Sequence, residues 1–121
     1  RTDVAMSYFK RAEEDDYIEV FNTPSLELLE NFPHRNLDIA FIDAPVDQYE
    51  TFLDLVFPML KLSGLLIFNG CLLGGRVWDE DDEDDAVIAA RAFNDLFLEH
   101  PDLDATILPV GDGTAIGARK Q

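Results

Sequence analysis

Residues 37–69, LDIAFIDAPVDQYETFLDLVFPMLKLSGLLIFN, decide the fold. They begin with a nearly continuous apolar run, LDIAFI, the pattern of a parallel strand covered on both faces. Val46, Tyr49, Leu53, Val56 and Leu60 then recur at steps of three and four, which predicts a helix over residues 46–61. Ser63-Gly64 is expected to close that helix, and residues 65–68 (LLIF) form a second buried strand. Strand, helix, strand at this spacing is the unit of an α/β layer fold.

Upstream, Val4, Ala5, Tyr8, Phe9 and Ala12 predict an amphipathic helix over residues 2–14, and residues 17–21 (YIEVF) alternate as a short strand would. Thr23 is expected to cap, and Pro24 to start, a short helix through Leu26, Leu29 and Phe32. Downstream, residues 70–85 read as a polar, glycine-containing loop and residues 86–98 as a helix stopped by His100-Pro101. Residues 105–108 and 114–119 are two strands joined across Gly111-Asp112-Gly113, and Pro109 assigns the first of them to a sheet edge. The predicted sheet is mainly parallel and ends in an antiparallel hairpin.

Composition narrows the function. Of 121 residues 47% are hydrophobic and 28% charged, a globular profile. A formal charge of -16 opposes binding to nucleic acid or to an anionic membrane. No apolar run reaches the roughly 20 residues of a membrane helix. The single cysteine, Cys71, forms no internal disulfide and suits a reducing, cytoplasmic setting. Residues 79–85 (DEDDEDD) read as a solvated loop whose last members favour the start of the following helix; the run has none of the glycine or asparagine of a calcium loop. There is no P-loop and no G-x-G-x-x-G.

Ligands of open parallel sheets bind beyond the carboxyl ends of the strands. That rule selects residues 22–25, 43–45 and 69–70. Asp43 directly ends an apolar strand, either as a functional carboxylate or as the N-cap of the next helix. His34 and His100 fall in predicted turns, where surface roles are commoner than catalytic ones.

The stretch FIDAPVDQYETFLDLVFPMLKLSGLLIFNGCLLGGRV, residues 41–77, resembles the S-adenosylmethionine-dependent O-methyltransferases of the catechol and caffeoyl-coenzyme-A type. The shared features are an F-I-D-A segment, a tyrosine soon after, a helix leading to L-K-x-G-G, a D-N-x-L-x-G-G-x-V loop and the closing LPVGDGTAIGARK. The resemblance runs over nearly the whole chain. It implies a partial Rossmann-like class I methyltransferase fold, with the last strand inserted beside residues 65–68. It implies that residues 1–121 are one partial domain, the C-terminal portion of the enzyme, without its first two strands and glycine-rich loop. The exposed edge this leaves on residues 37–42 is expected to pair in a homodimer or with a missing N-terminal segment.

By position, the resemblance sets Thr23, Pro24 and Ser25 against the adenine of the cofactor, with Asp43 and Ala44 also bordering it. Asp43 and Asn69 become the catalytic pair, facing a small-molecule hydroxyl acceptor, and residues 74–78 cover that acceptor. In the family, the positions of Asp43, Asn69 and Gly70 hold a metal through Asp, Asp and Asn. Here Asn and Gly replace the last two, so no metal ligand is assigned and a divalent metal is doubtful. The alternative is a non-catalytic domain that kept the fold and lost the metal site.

Overall fold

The structure is a computed structural model that describes residues 1–121. The chain forms two compact units, residues 1–31 and 32–121.

The first unit holds helices α1 (Thr2–Arg11) and α2 (Ser25–Glu30). Residues 17–21 are not a strand, contrary to the sequence reading. Alternation proposes a strand, but a strand exists only as a member of a ladder, and this unit holds no second one. Pro24, not Thr23, occupies the cap position of α2, its extended backbone (φ -53°, ψ 132°) leading into Ser25.

The second unit contains β1 (Leu37–Ile42), α3 (Tyr49–Val56), β2 (Leu60–Asn69), α4 (Asp85–Leu98), β3 (Leu103–Leu108) and β4 (Thr114–Arg119). The sheet order is β1-β2-β4-β3. β1 and β2 are parallel, while β4 runs antiparallel to both β2 and β3. The sheet is therefore mixed rather than mainly parallel, because residues 17–21 add no further parallel strand. β4 inserts between β2 and β3, and β3 takes the edge, as Pro109 requires: without an N–H it could not extend a central ladder.

Two boundaries differ from the periodic reading. Pro58 lacks an N–H and turns residues 57–59 into a single tight turn, so α3 ends at Val56 and β2 starts at Leu60. Ser63-Gly64 consequently lie inside β2. There Ser63 has φ 67°, and the register with β1 slips between Leu37 and Ile39. A side chain at Gly64 would sit 2.9 Å from the carbonyls of Leu37 and Lys61, so only glycine admits that bulge.

Burial is one-sided. Leu66, Phe68, Leu103 and Ala115 lie buried, as do Phe52, Leu53 and Val56 of α3 and Val87, Phe93 and Phe97 of α4. Phe68 meets Phe93 at 4.7 Å, Tyr49 at 5.0 Å and Phe97 at 5.7 Å between ring centroids, so one strand residue holds both helices. Ile39 and Phe41 point away from this layer and are 59% and 60% exposed. β1 is thus not covered on both faces, because α3 and α4 pack on the same side. Arg119 closes the far end: Nη1 donates to the Leu60 carbonyl at 2.6 Å, and the guanidinium lies over the Phe57 ring.

Replacing Phe97 by alanine should cost ~3–5 kcal/mol, whereas Leu96→Ala, on the exposed side of α4, should cost about 1 kcal/mol or less. Urea denaturation midpoints of the encoded protein and the two variants check the contrast.

Candidate active site

A cleft of about 640 Å³ opens at the carboxyl ends of β1 and β2. The chain leaving β1 supplies Asp43, Ala44, Pro45, Val46 and Asp47. The end of β2 supplies Asn69 and Gly70, and the N-terminus of α4 supplies Asp84, Asp85 and Ala86. Tyr49 and Leu73 complete the lining. Asp43, Ala44 and Asn69 therefore meet in one cleft of the second unit. Thr23, Pro24 and Ser25 belong to the first unit, at the start of α2.

Asp43 is not a helix cap. Pro45 precedes the short turn of residues 46–48, and no side chain caps it. The carboxylate stands exposed at the cleft mouth.

The floor is built by Tyr49. Its ring is buried between Phe68 and Phe93, and its hydroxyl donates to the backbone carbonyl of Asn69, tying α3 to the end of β2. Burial raises its pKa above the ordinary 10.0, and the nearby charges of Asp43 and Asp112 push the same way. Periodicity placed Tyr49 on an apolar helix face. The missed signal was its hydroxyl, which requires a partner once buried.

The closing hairpin anchors the strand end from the other side. Gly70 N donates to Gly113 O at 2.8 Å, Leu72 N to Asp112 O at 3.0 Å, and Gly74 N to the Asp112 carboxylate. Gly113 has φ 88°, and a side chain there would lie 2.3 Å from Cγ of Leu72, so the approach depends on glycine. Sequence reading treated Asp112 as an ordinary turn residue, since its partner lies 38 positions away.

The acidic run is organised rather than loose. Asp84 caps α4, accepting from Ala86 N at 3.0 Å. Arg76 pairs with Asp82 at 2.7 Å and reaches Asp84 at 3.4 Å. The Arg76 guanidinium holds the Asp82 carboxyl below its usual range. Arg91 donates to the carbonyls of Val77, Asp79 and Asp82, fastening the loop to α4. His100 accepts from Asp102 N at 3.1 Å and lies against Phe57, a structural placement.

The metal triad does not fit. Asp43 offers a carboxylate and Asn69 an amide, but Gly70 offers no side chain, and no three of the chain's His, Cys, Asp or Glu residues come together as a metal site. A hard divalent cation wants about six oxygen ligands. Space is not the obstacle: the nearest atom to a side chain at Gly70 would be an Asp112 oxygen at 3.9 Å.

With this geometry in view, comparison with known proteins is decisive. The model of the O-methyltransferase family matches residues 1–120. The chain belongs to that family. It is 29% identical over 106 residues to the catechol O-methyltransferase of Mycobacterium tuberculosis, covering 88% of this chain and 48% of that protein. Among solved structures it is similar to the O-methyltransferase from Bacillus cereus in complex with SAH, at 27% identity and a TM-score of 0.82, covering 98% of this chain and 57% of that one. The cofactor-bound Rv0187 from Mycobacterium tuberculosis gives 26% identity and a TM-score of 0.87, covering 99% and 57%. The chain spans about half the length of the curated relatives it matches. No helix is long and apolar enough to cross a membrane.

Burial also raises the pKa of the Cys71 thiol above the ordinary 9.0. For both Cys71 and Tyr49 the folded form holds its proton to higher pH than the unfolded chain does. Their contribution to stability is therefore whole below pH 9 and declines as pH rises through the raised values. Denaturation midpoints of the encoded protein measured from pH 7 upward should fall beyond pH 9, and Cys71→Ala should flatten the first part of that fall.

Proposed function

We propose that this chain contributes the acceptor side of an S-adenosylmethionine-dependent O-methyltransferase acting on a hydroxyl of a small molecule. The observation that carries this reading is the strand-end cleft holding Asp43 and Asn69 in a chain matched almost end to end by the O-methyltransferase family. In the reaction the carbon–sulfur bond of the sulfonium breaks, a carbon–oxygen bond to the acceptor forms, and the hydroxyl proton passes to water.

The residues present fit a sulfonium donor. Asp43 puts a carboxylate at the cleft mouth, and Ala44, Val46 and Leu73 supply apolar wall. When bound, S-adenosylmethionine supplies the electrophilic methyl group. Asp43 and Asn69 then border the reacting pair, with Ala44 beside the cofactor and Thr23, Pro24 and Ser25 toward its adenine. Residues 74–78 lie over the acceptor. Catalysis by these groups is positioning: the two reactants are held in line so that their encounter is effectively intramolecular. No step is routed through a metal, because the donor set at Asp43, Asn69 and Gly70 does not fit one.

A second reading is a non-catalytic member of the family, and the absent third donor at Gly70 favours it. The outer edge of β1 carries no ladder to another strand of its sheet, which supports pairing with a second copy or with further chain. The chain's acidic charge and its buried single cysteine support a cytoplasmic protein with no nucleic-acid or membrane partner.

The 121-residue chain should bind S-adenosylmethionine very weakly by isothermal titration and lack activity alone; saturable micromolar binding would refute the view that it holds only part of the cofactor site. The encoded protein should transfer methyl groups equally well with and without EDTA. A loss restored by Mg²⁺ would show that Asp43 and Asn69 still hold an ion, and no transfer to any hydroxyl compound would favour the non-catalytic reading.

A further inference from the structure

The cleft is charged in one sense only. Asp43, Asp47, Asp84 and Asp85 line it, and no lysine, arginine or histidine does. Asp84 is partly answered by Arg76, whose main partner is Asp82. Asp43, Asp47 and Asp85 form no ion pair and are exposed. An N-terminus of a helix in a cleft wall ordinarily favours an anion. Here the chain's own carboxylates answer α4: Asp84 accepts from Ala86 N, and Asp85 sits in the first turn. No divalent ion offsets Asp43, since the donor set does not fit one. The Tyr49 hydroxyl on the cleft floor registers the same field, with Asp43 and Asp112 adding to the effect of burial. A net charge of -16 leaves no compensating region elsewhere.

Resting on the methyltransferase reading, we infer that the methyl acceptor is a hydroxyl compound that also carries an ammonium group, and that the cleft turns away acceptors bearing carboxylate or phosphate. Its hydroxyl reaches the mouth between Asp43 and Asn69. Its apolar body lies along Ala44, Val46 and Leu73, and its ammonium group faces Asp47 and Asp85. An anionic acceptor would bring a fourth negative charge against three unpaired carboxylates in a space with walls of low polarity, where charges are poorly screened. The transfer itself is unchanged, and selection lies in binding.

The test uses tyramine and its carboxylate analogue, hydroxyphenylpropionate, which share the phenol and differ in the sign of the far group. Binding of each to the encoded protein is followed by ligand-detected NMR with S-adenosylhomocysteine present. Tyramine should bind at least about tenfold tighter at low salt. The preference should shrink at ~0.5 M salt, where the screening length falls below the ~8 Å of physiological salt. The double variant Asp47→Asn/Asp85→Asn, altered only at exposed positions, should bring the two affinities to within about threefold, since the attraction is carried by those charges. Equal affinities, a preference for the carboxylate, no binding of either probe, or a preference untouched by the double variant would each overturn the inference. If S-adenosylhomocysteine binds and the probes do not separate, only the charge selection falls. If S-adenosylhomocysteine itself does not bind, the methyltransferase reading falls and the inference with it.

Discussion

Phe68 is the residue on which the second unit depends. It sits fully buried on the covered face of β2 and touches Tyr49 of α3 and both Phe93 and Phe97 of α4. Aromatic rings bury large area and prefer offset or edge-on contacts, so such a cluster fixes orientation as well as proximity. The next residue along β2 is Asn69, the end of the strand and part of the cleft floor. A single turn of chain therefore links the densest part of the core to the site. Any loosening of Phe68 would move α3 and α4 apart and change the cleft width directly.

The end of β2 is held from two directions. From the helical side, Tyr49 donates to the Asn69 carbonyl. From the sheet side, the β3–β4 hairpin brings the Gly113 and Asp112 carbonyls to the amides of Gly70, Cys71 and Leu72. Asn94 adds a third tie, its amide donating to the Cys71 carbonyl at 3.0 Å. Buried backbone groups must find partners, and here the partners come from three distant segments. A site held this way needs no regular structure of its own. Residues 70–84 form irregular loop and tight turns, yet they are fastened by Arg91 and Arg76 into one arrangement.

Much of the fold was legible because burial leaves a periodic trace. The helix over residues 86–98 was read almost to the residue, since α4 buries one broad face. The hairpin and the edge position of β3 followed from glycine and proline, whose backbone restrictions act locally. The errors arose where a local pattern needed a distant partner or met a local override. Residues 17–21 alternate correctly but belong to no ladder. The helix over residues 46–61 kept its apolar spacing past Val56, yet Pro58 cut it short and gave its last residues to β2. Ser63-Gly64 resembled a helix stop, while their role is a bulge passing close to Leu37.

The site divides in the same way. Asp43, Ala44 and Asn69 could be named in advance, because the ends of apolar strands are visible in the sequence and parallel sheets place ligands there. The sequence alone also determined the absence of a third metal donor, since Gly70 has no side chain to offer. Which other groups would face the cleft was settled only by the tertiary structure. Asp84 and Asp85 reach it because α4 packs against Phe68 with its N-terminus at the mouth. Asp112 reaches Gly74 because β4 inserts beside β2 and carries the hairpin back to the strand end. Those contacts join residues tens of positions apart, and no local preference encodes them. They exist because burying the aromatic face of one strand leaves the neighbouring elements a single way to close.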